Sequence, residues 1–249
     1  MEGLLKTTIL GMFFGTLGTM MGGILGVTIK KHSNKFLSFI LSFASGLMMA
    51  IICFDLIPEA FEITEIQVIL FGLILGIGSM IICDDLVKRK INKKIGQKEK
   101  ENSLLKTGII VSIGLAIHNF PEGLAIGSGF ESSMQLGLSL AIAIALHDVP
   151  EGISMAVPMK QGGMKASKVI FYVLLSGITT GIGAFIGAII GGISEKVIAI
   201  CLSFAAGAML YVVVEELIPE MSQGQHSNIG TLFFALGFSL MMILDVALG

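Results

Sequence analysis

The chain has 249 residues, 54% of them hydrophobic and 14% charged, and a mean hydropathy of +0.90. Soluble domains carry roughly 25% charged residues, so too little polar surface exists here to cover a water-exposed fold, and lipid is the natural solvent. The net charge of −2 says little because the charges are segregated along the chain, and no nucleic-acid partner is expected.

A helix needs about 20 apolar residues to cross the hydrocarbon core. Eight runs qualify, at 5–28, 36–58, 66–87, 105–130, 134–157, 168–192, 197–219 and 229–248. The first begins almost at the start of the chain with no small-residue cleavage site, which predicts a retained helix. The expected fold is therefore an all-α polytopic membrane protein. Residues 1–249 are expected to form one transmembrane domain. Connections are short except for 88–104, KRKINKKIGQKEKENSL, which predicts a basic loop. The 32 glycines suit close helix approach in a bilayer, where small residues set the packing. Cys53, Cys83 and Cys201 lie in or at the ends of apolar runs and form no CxxC pair. They read as buried small hydrophobes.

Lysine and arginine orient the spans. Fourteen of the 16 fall in the connections after the first, third and fifth spans or at the span edges beside them: Lys30, Lys31 and Lys35; Lys88, Arg89, Lys90, Lys93, Lys94, Lys98, Lys100 and Lys106; Lys160, Lys165 and Lys168. Only Lys6 and Lys196 remain. Those connections are expected to be cytoplasmic and both termini extracytoplasmic, in the cell membrane. The second connection, with Glu59, Glu62 and Glu65, is acidic. It either gathers cations or simply satisfies the charge rule.

The chain also repeats itself. Residues 42–59, SFASGLMMAIICFDLIPE, and 203–220, SFAAGAMLYVVVEELIPE, agree at nine of 18 positions with an offset of 161. The same offset carries Gly76, Met80 and Asp84 onto Gly237, Met241 and Asp245, and Thr19, Gly22 and Gly26 onto Thr180, Gly183 and Gly187. A second offset, of 29, relates the fourth span to the fifth. Related spans run in opposite directions, so the expected plan is 3+2+3 with an inverted repeat, spans 1–3 with 6–8 and span 4 with 5. Alternating-access transporters use such repeats and bind their substrates near the midplane.

The fourth span contains His118-Asn119-Phe120-Pro121-Glu122-Gly123 and the fifth His147-Asp148-Val149-Pro150-Glu151-Gly152. Histidine and glutamate four apart share a helix face. A lone carboxylate at mid-membrane costs about 2.5–3.5 kcal/mol by insertion scales, so the set requires a cavity and a counter-charge, which a dication supplies. Imidazole with carboxylate suits zinc and its first-row neighbours. Pro121 and Pro150 each remove a backbone bond, freeing the carbonyls of Ile117 and Leu146 in what read as kinked, broken helices lining a polar cavity. His32 and His226 are lone loop histidines, expected to be inert. Asp55 and Glu59 in the second span mirror Glu216 and Glu220 in the seventh. These four are either matched entry and exit carboxylates or interfacial residues flanking Pro58 and Pro219.

The segments HNFPEGLAIG and HDVPEGISMA resemble the signature of the ZIP family, the zinc- and iron-regulated-transporter-like proteins, and above all its bacterial branch. The resemblance in span number and topology covers essentially the whole chain. It implies an importer of zinc, or of iron, manganese or cadmium ions, with a two-metal site between spans 4 and 5. One position would use His118, Glu122, His147 and Glu151, helped by Met48. The other would use Asn119 and Asp148 and share Glu122 and Glu151 as bridges. Many bacterial members carry a glutamate in the sixth span where this chain has Thr180, which implies a weaker second position. The resemblance further implies that one bundle of helices slides against the other.

Two other functions fit the residues. An intramembrane metalloenzyme would use Glu122 or Glu151 as general base, but its usual HExxH mark is absent, and two pairs closing over a metal leave no open position for water. A metal exporter would use the same site. A non-enzymatic transporter without a prosthetic group is the expectation. Its partners are the metal ions, the bilayer and, as a candidate, a second copy of the chain.

Overall fold

The computed structural model describes residues 2–29, 34–95, 103–219 and 227–248. Among these there is no strand. Eight helical spans follow in chain order. They are α1 (Glu2–Thr28), α2 (α-helical Asn34–Ala50, π-helical Ile51–Leu56, α-helical Ile57–Ile63) and α3 (Ile66–Ile95). Next come α4 (Ser103–Ser132), α5 (Met134–Gln161) and α6 (Ala166–Gly191). The last two are α7 (α-helical Glu195–Val212, π-helical Val213–Leu217) and α8 (Ser227–Leu248). All eight are long and apolar enough to cross a membrane, and each coincides with an expected span.

Three local expectations are corrected. First, α3 continues to Ile95, so the first half of the segment 88–104 is helical rather than loop. Lysine and arginine are good helix formers, and Arg89 pairs with Asp85 one turn back, Nη2 to Oδ2, at 2.8 Å. Second, α4 and α5 run unbroken through Pro121 and Pro150. A proline removes one bond from the ladder, and the neighbouring turns and packed helices hold the rest. Third, Cys53 faces outward, while Cys83 is half-buried and Cys201 buried; all three are free thiols. Outward on a spanning helix means lipid, where a small apolar group is at no disadvantage. Glu220, His32 and His226 lie outside the described residues.

The breaks fall instead in α2 and α7. Ahead of Pro58 the Ile57 N–H reaches the Ile52 carbonyl, and ahead of Pro219 the Ile218 N–H reaches the Val213 carbonyl. Both are five-residue bonds, the register of a π-turn, which commonly marks functional positions in helices. The two bonds are 161 residues apart at both ends.

Packing sorts the helices into two groups. In one, α1 lies against α5 and α6, and α4 against α5 and α6. In the other, α3 runs along α7 and α8 along α2. The groups meet where α4 faces α7 and α5 faces α2. Glycines permit the closest approaches. A Cβ at Gly76 would strike the Phe204 carbonyl, and one at Gly237 the Phe43 carbonyl; likewise Gly22 meets the Val149 carbonyl and Gly183 that of Phe120. Each contact has its counterpart at the offsets 161 and 29. A large apolar cluster, including Met48, Ile51, Leu56, Ile126, Ile144, Leu202 and Met209, fills the middle.

Overpacking a close helix contact costs typically 1–3 kcal/mol. Gly76→Ala is therefore expected to lower the unfolding temperature of the detergent-purified protein. Gly78→Ala, where an added Cβ meets nothing within 4 Å, is expected to leave it unchanged or slightly higher, since alanine favours helix. Equal effects would contradict the α3–α7 contact.

Candidate metal centre

The fourth and fifth spans bring their motifs face to face. His118, Asn119, Glu122, His147, Asp148 and Glu151 are all buried, none above 2% exposure. No lysine or arginine occurs between Lys106 and Lys160, so α4 and α5 offer these carboxylates no fixed cation at this depth.

The imidazoles do not bond to the glutamates of their own helices. His118 Nε2 lies 3.0 Å from Glu151 Oε2, and His147 Nε2 lies 3.1 Å from Glu122 Oε1. The two pairs cross between α4 and α5 and exchange under the offset of 29. His147 Nε2 also approaches Asp148 Oδ1 at 3.6 Å and Glu151 Oε1 at 3.7 Å. Ligand atoms of Glu122, His147, Asp148 and Glu151 all fall within 4.8 Å of one another. That set mixes the two expected positions, since Asp148 joins the histidine–glutamate group. His118 adjoins it through Glu151.

A neutral imidazole that donates from Nε2 to a carboxylate keeps Nδ1 as a bare acceptor. In both histidines Nδ1 is buried without a hydrogen-bond partner. Glu122 Oε2, both Asp148 oxygens, Glu151 Oε1, Asn119 Oδ1 and the Thr180 hydroxyl are also buried without a hydrogen-bond partner. Leaving a buried acceptor unmet costs about 1–3 kcal/mol, more if charged. One centre that concentrates so many acceptors fits a cation. Its donor set, imidazole nitrogen with carboxylate oxygen, is that of zinc and its first-row neighbours.

The surrounding helices close the centre. On α1 the glycines at 11, 15, 18 and 22 fall on one face, the small-residue pattern of tight membrane packing. A Cβ at Gly18 would strike Asp148 Cβ, and one at Gly15 would strike the Thr180 side chain. From α6, Ser176 accepts from the Asn119 amide Nδ2, on its carbonyl at 3.1 Å and its hydroxyl at 3.2 Å. The sequence reading missed Ser176; a single serine in an apolar run carries no signal of its own. Met48 is fully buried on α2 in the central apolar cluster, with Ala143 and Ile144 of α5.

Two further hydrogen bonds link the helix groups at the Pro58 end of α2. Ser132 donates to Glu59 at 2.6 Å, and Ser139 to Asp55 at 3.4 Å. Asp245 of α8 lies beside Asp55. At the other end Glu216 of α7 is half-buried and close enough to His118 to act on it electrostatically.

Eight spanning helices around a buried nitrogen–oxygen cluster that could hold a metal ion define a polytopic membrane protein. Comparison with known proteins makes this specific. Residues 88–245 match the family described as ZIP zinc transporter. The chain is 32% identical over 232 residues to the zinc transporter ZupT of Corynebacterium glutamicum, covering 86% of this chain and 88% of that protein. It is 30% identical over 243 residues to the zinc transporter ZupT of Salmonella newport, covering 93% and 95% respectively. The chain belongs to the ZIP family of zinc transporters, and is a multi-pass membrane transporter of divalent metal.

Removing one partner of a buried pair leaves the other charge unmatched, at about 3–5 kcal/mol. His118→Ala is thus expected to destabilise the metal-free protein more than the double variant His118→Ala/Glu151→Ala. Chemical unfolding checks the order. A double variant as unstable as the sum of the singles would contradict the crossed pair.

Proposed function

We propose that the protein imports zinc into the cytoplasm by alternating access, with the crossed His–Glu centre of α4 and α5 as the site that is exposed first to one side and then to the other. The observation that carries this reading is the centre itself: two crossed pairs, His118 with Glu151 and His147 with Glu122, ringed by buried acceptors with no partner. His118, Glu122, His147 and Glu151, with Asp148, are its ligands. Asn119 contributes an oxygen beside them, and Met48 a thioether from α2. A zinc ion entering the centre would sit between imidazole and carboxylate, each ring offering Nε2 while its proton moves to Nδ1, so that both imidazoles stay neutral. No water-bound open position is needed, so transport rather than hydrolysis is the function.

The inverted repeat belongs to the same proposal. The matched π-turns of α2 and α7 and the matched glycine contacts support a pseudo-two-fold axis in the membrane plane. Exchange of the two halves about that axis turns one access state into the other. The group α1, α4, α5 and α6 carries the metal, and the group α2, α3, α7 and α8 is the frame it moves against, the whole chain acting as one transmembrane unit with both termini outside. Import as the direction rests on the family. An exporter with the same site would deplete cells of zinc rather than load them.

Reconstitution into liposomes tests the reading. Wild-type protein is expected to pass zinc, and to be assayed beside it with iron, manganese and cadmium, while His118→Ala and Glu151→Ala lose flux by at least tenfold. Absence of flux for every metal would remove the transport reading, and unchanged flux in the variants would move the site elsewhere. Zinc-starved cells expressing the protein are expected to gain radioactive zinc; net loss would reverse the direction.

Acidity gives a second check. Imidazole and carboxylate bind metal only in their deprotonated forms, so zinc binding and flux are expected to fall as pH is lowered from 7.5 to about 5.5. Flux that rises with acidity would instead indicate a proton-driven cycle.

A further inference from the structure

Helix α3 runs two turns past its apolar span, and its register decides which way those turns face. Inside the span, contacts settle its two sides. Ile69 and Met80 are buried, a Cβ at Gly76 would strike the Phe204 carbonyl of α7, and Asp84 accepts from the Tyr211 hydroxyl of α7 at 2.9 Å. Phe71, Leu75, Ile82 and Leu86 are exposed, and an added Cβ at Gly78 meets nothing within 4 Å, so this side meets acyl chains. Steps of three and four residues carry a helix face forward. The buried face continues from Asp84 to positions 87, 91 and 95, which are Val, Ile and Ile. The lipid face continues from Leu86 to Arg89 and Lys93. One stripe is therefore apolar up to Leu86 and cationic in the next two turns. Residues 88–95 hold five lysines and arginines and no acidic residue, so within the helix only Asp84 and Asp85, just before them, offset that charge.

The charge rule asks only that cations lie beyond the span; it does not say which face of a helix they take. From Val87 to Ile95 the helix rises about 12 Å, enough to cross a headgroup layer about 5–8 Å deep. Arg89 thus stands at the level of the phosphates, with Lys93 one turn above it on the same face. Asp85 already holds Arg89, on Nε at 3.0 Å and on Nη2 at 2.8 Å, but the two side chains are 54% and 75% exposed. Such a pair contributes little, and it takes two of the five guanidinium N–H groups. Three are left for a phosphate, which guanidinium binds well. We infer that Arg89 and Lys93 form a binding stripe for the headgroup phosphate of an anionic phospholipid, in the leaflet that the charge rule assigns to the cytoplasm. A zwitterionic headgroup fits less well, because it brings an ammonium of its own. α3 belongs to the group of helices proposed as the frame. A lipid held on its outer face fixes the depth of that frame while the metal-bearing group moves.

Lipid binding tests this without any zinc. Phosphatidylglycerol or phosphatidylcholine is titrated into the detergent-purified protein, and the lipid-bound fraction is followed by native mass spectrometry. Wild-type protein is expected to bind phosphatidylglycerol about tenfold more tightly. Arg89→Gln/Lys93→Gln is expected to lose most of that preference. Lys88→Gln/Lys94→Gln removes the same charge from positions off the stripe and is expected to keep it. Asp85→Asn, which frees the guanidinium, is expected to strengthen it. In liposomes, zinc flux by wild-type protein is expected to fall severalfold when phosphatidylglycerol is left out, and the Arg89→Gln/Lys93→Gln variant to be slow with or without it. Equal losses in the two double variants would reduce the stripe to general positive charge and overturn the inference. So would a wild-type protein with no preference, or an Arg89→Gln/Lys93→Gln variant that keeps it. Wild-type flux indifferent to phosphatidylglycerol would overturn the role given to the lipid in fixing the frame. Protein that binds phosphatidylglycerol as expected but passes no zinc in any lipid would defeat the transport reading instead.

Discussion

Three carboxylates and two imidazoles lie together inside helices whose other faces meet lipid, and water is not available there to solvate them. Each buried ion carries a desolvation penalty of several kcal/mol. Crossed pairing of His118 with Glu151 and His147 with Glu122 offsets part of that penalty and leaves the remaining oxygens unmet. A dication meets them all at once. In the proposed reading, the protein alone leaves the site incomplete, and that incompleteness is what a metal ion would satisfy.

The rest of the fold accommodates that cluster. Glycines on α1 let its backbone pass against Asp148 and Thr180, so the site is capped by helix rather than by bulky side chains. α4 and α5 stay unbroken through their prolines, which keeps the four paired side chains at fixed spacing. Irregularity is moved to α2 and α7, where π-turns precede Pro58 and Pro219. Those two helices line the faces against which α5 and α4 pack. The serine-to-carboxylate bonds Ser132–Glu59 and Ser139–Asp55 tie the two helix groups at one end, so relative motion of the groups must release them.

Much of this was legible in the sequence. Spanning helices announce themselves by apolar runs, and the ionisable residues at 118, 122, 147, 148 and 151 stand out because their surroundings are apolar. The offset of 161 relates Gly76 to Gly237, but the helix contacts those glycines make were not legible. Partner choice was not legible. Helical spacing places His118 beside Glu122, but two helices in contact let His118 reach Glu151, and only tertiary geometry decides between them. Ser176 escaped notice for a related reason: its role lies in a carbonyl and a hydroxyl facing another helix. The basic stretch after Val87 read as loop because it is polar, yet a helix leaving the membrane stays helical when its residues favour it, as α3 does to Ile95. Pro121 and Pro150 were read as breaks, though one lost hydrogen bond is small against the packing on both sides.

The central claim, that α4 and α5 hold zinc by imidazole and carboxylate together, is tested most directly by X-ray absorption at the zinc edge of the zinc-loaded protein. The account predicts a shell dominated by nitrogen and oxygen at roughly 2.0–2.2 Å, with at most the one thioether sulfur of Met48, and the outer-shell scattering of imidazole rings, lost in a His118→Ala/His147→Ala variant. A shell of cysteine thiolates at about 2.3 Å, or an imidazole signal that survives the double substitution, would contradict it.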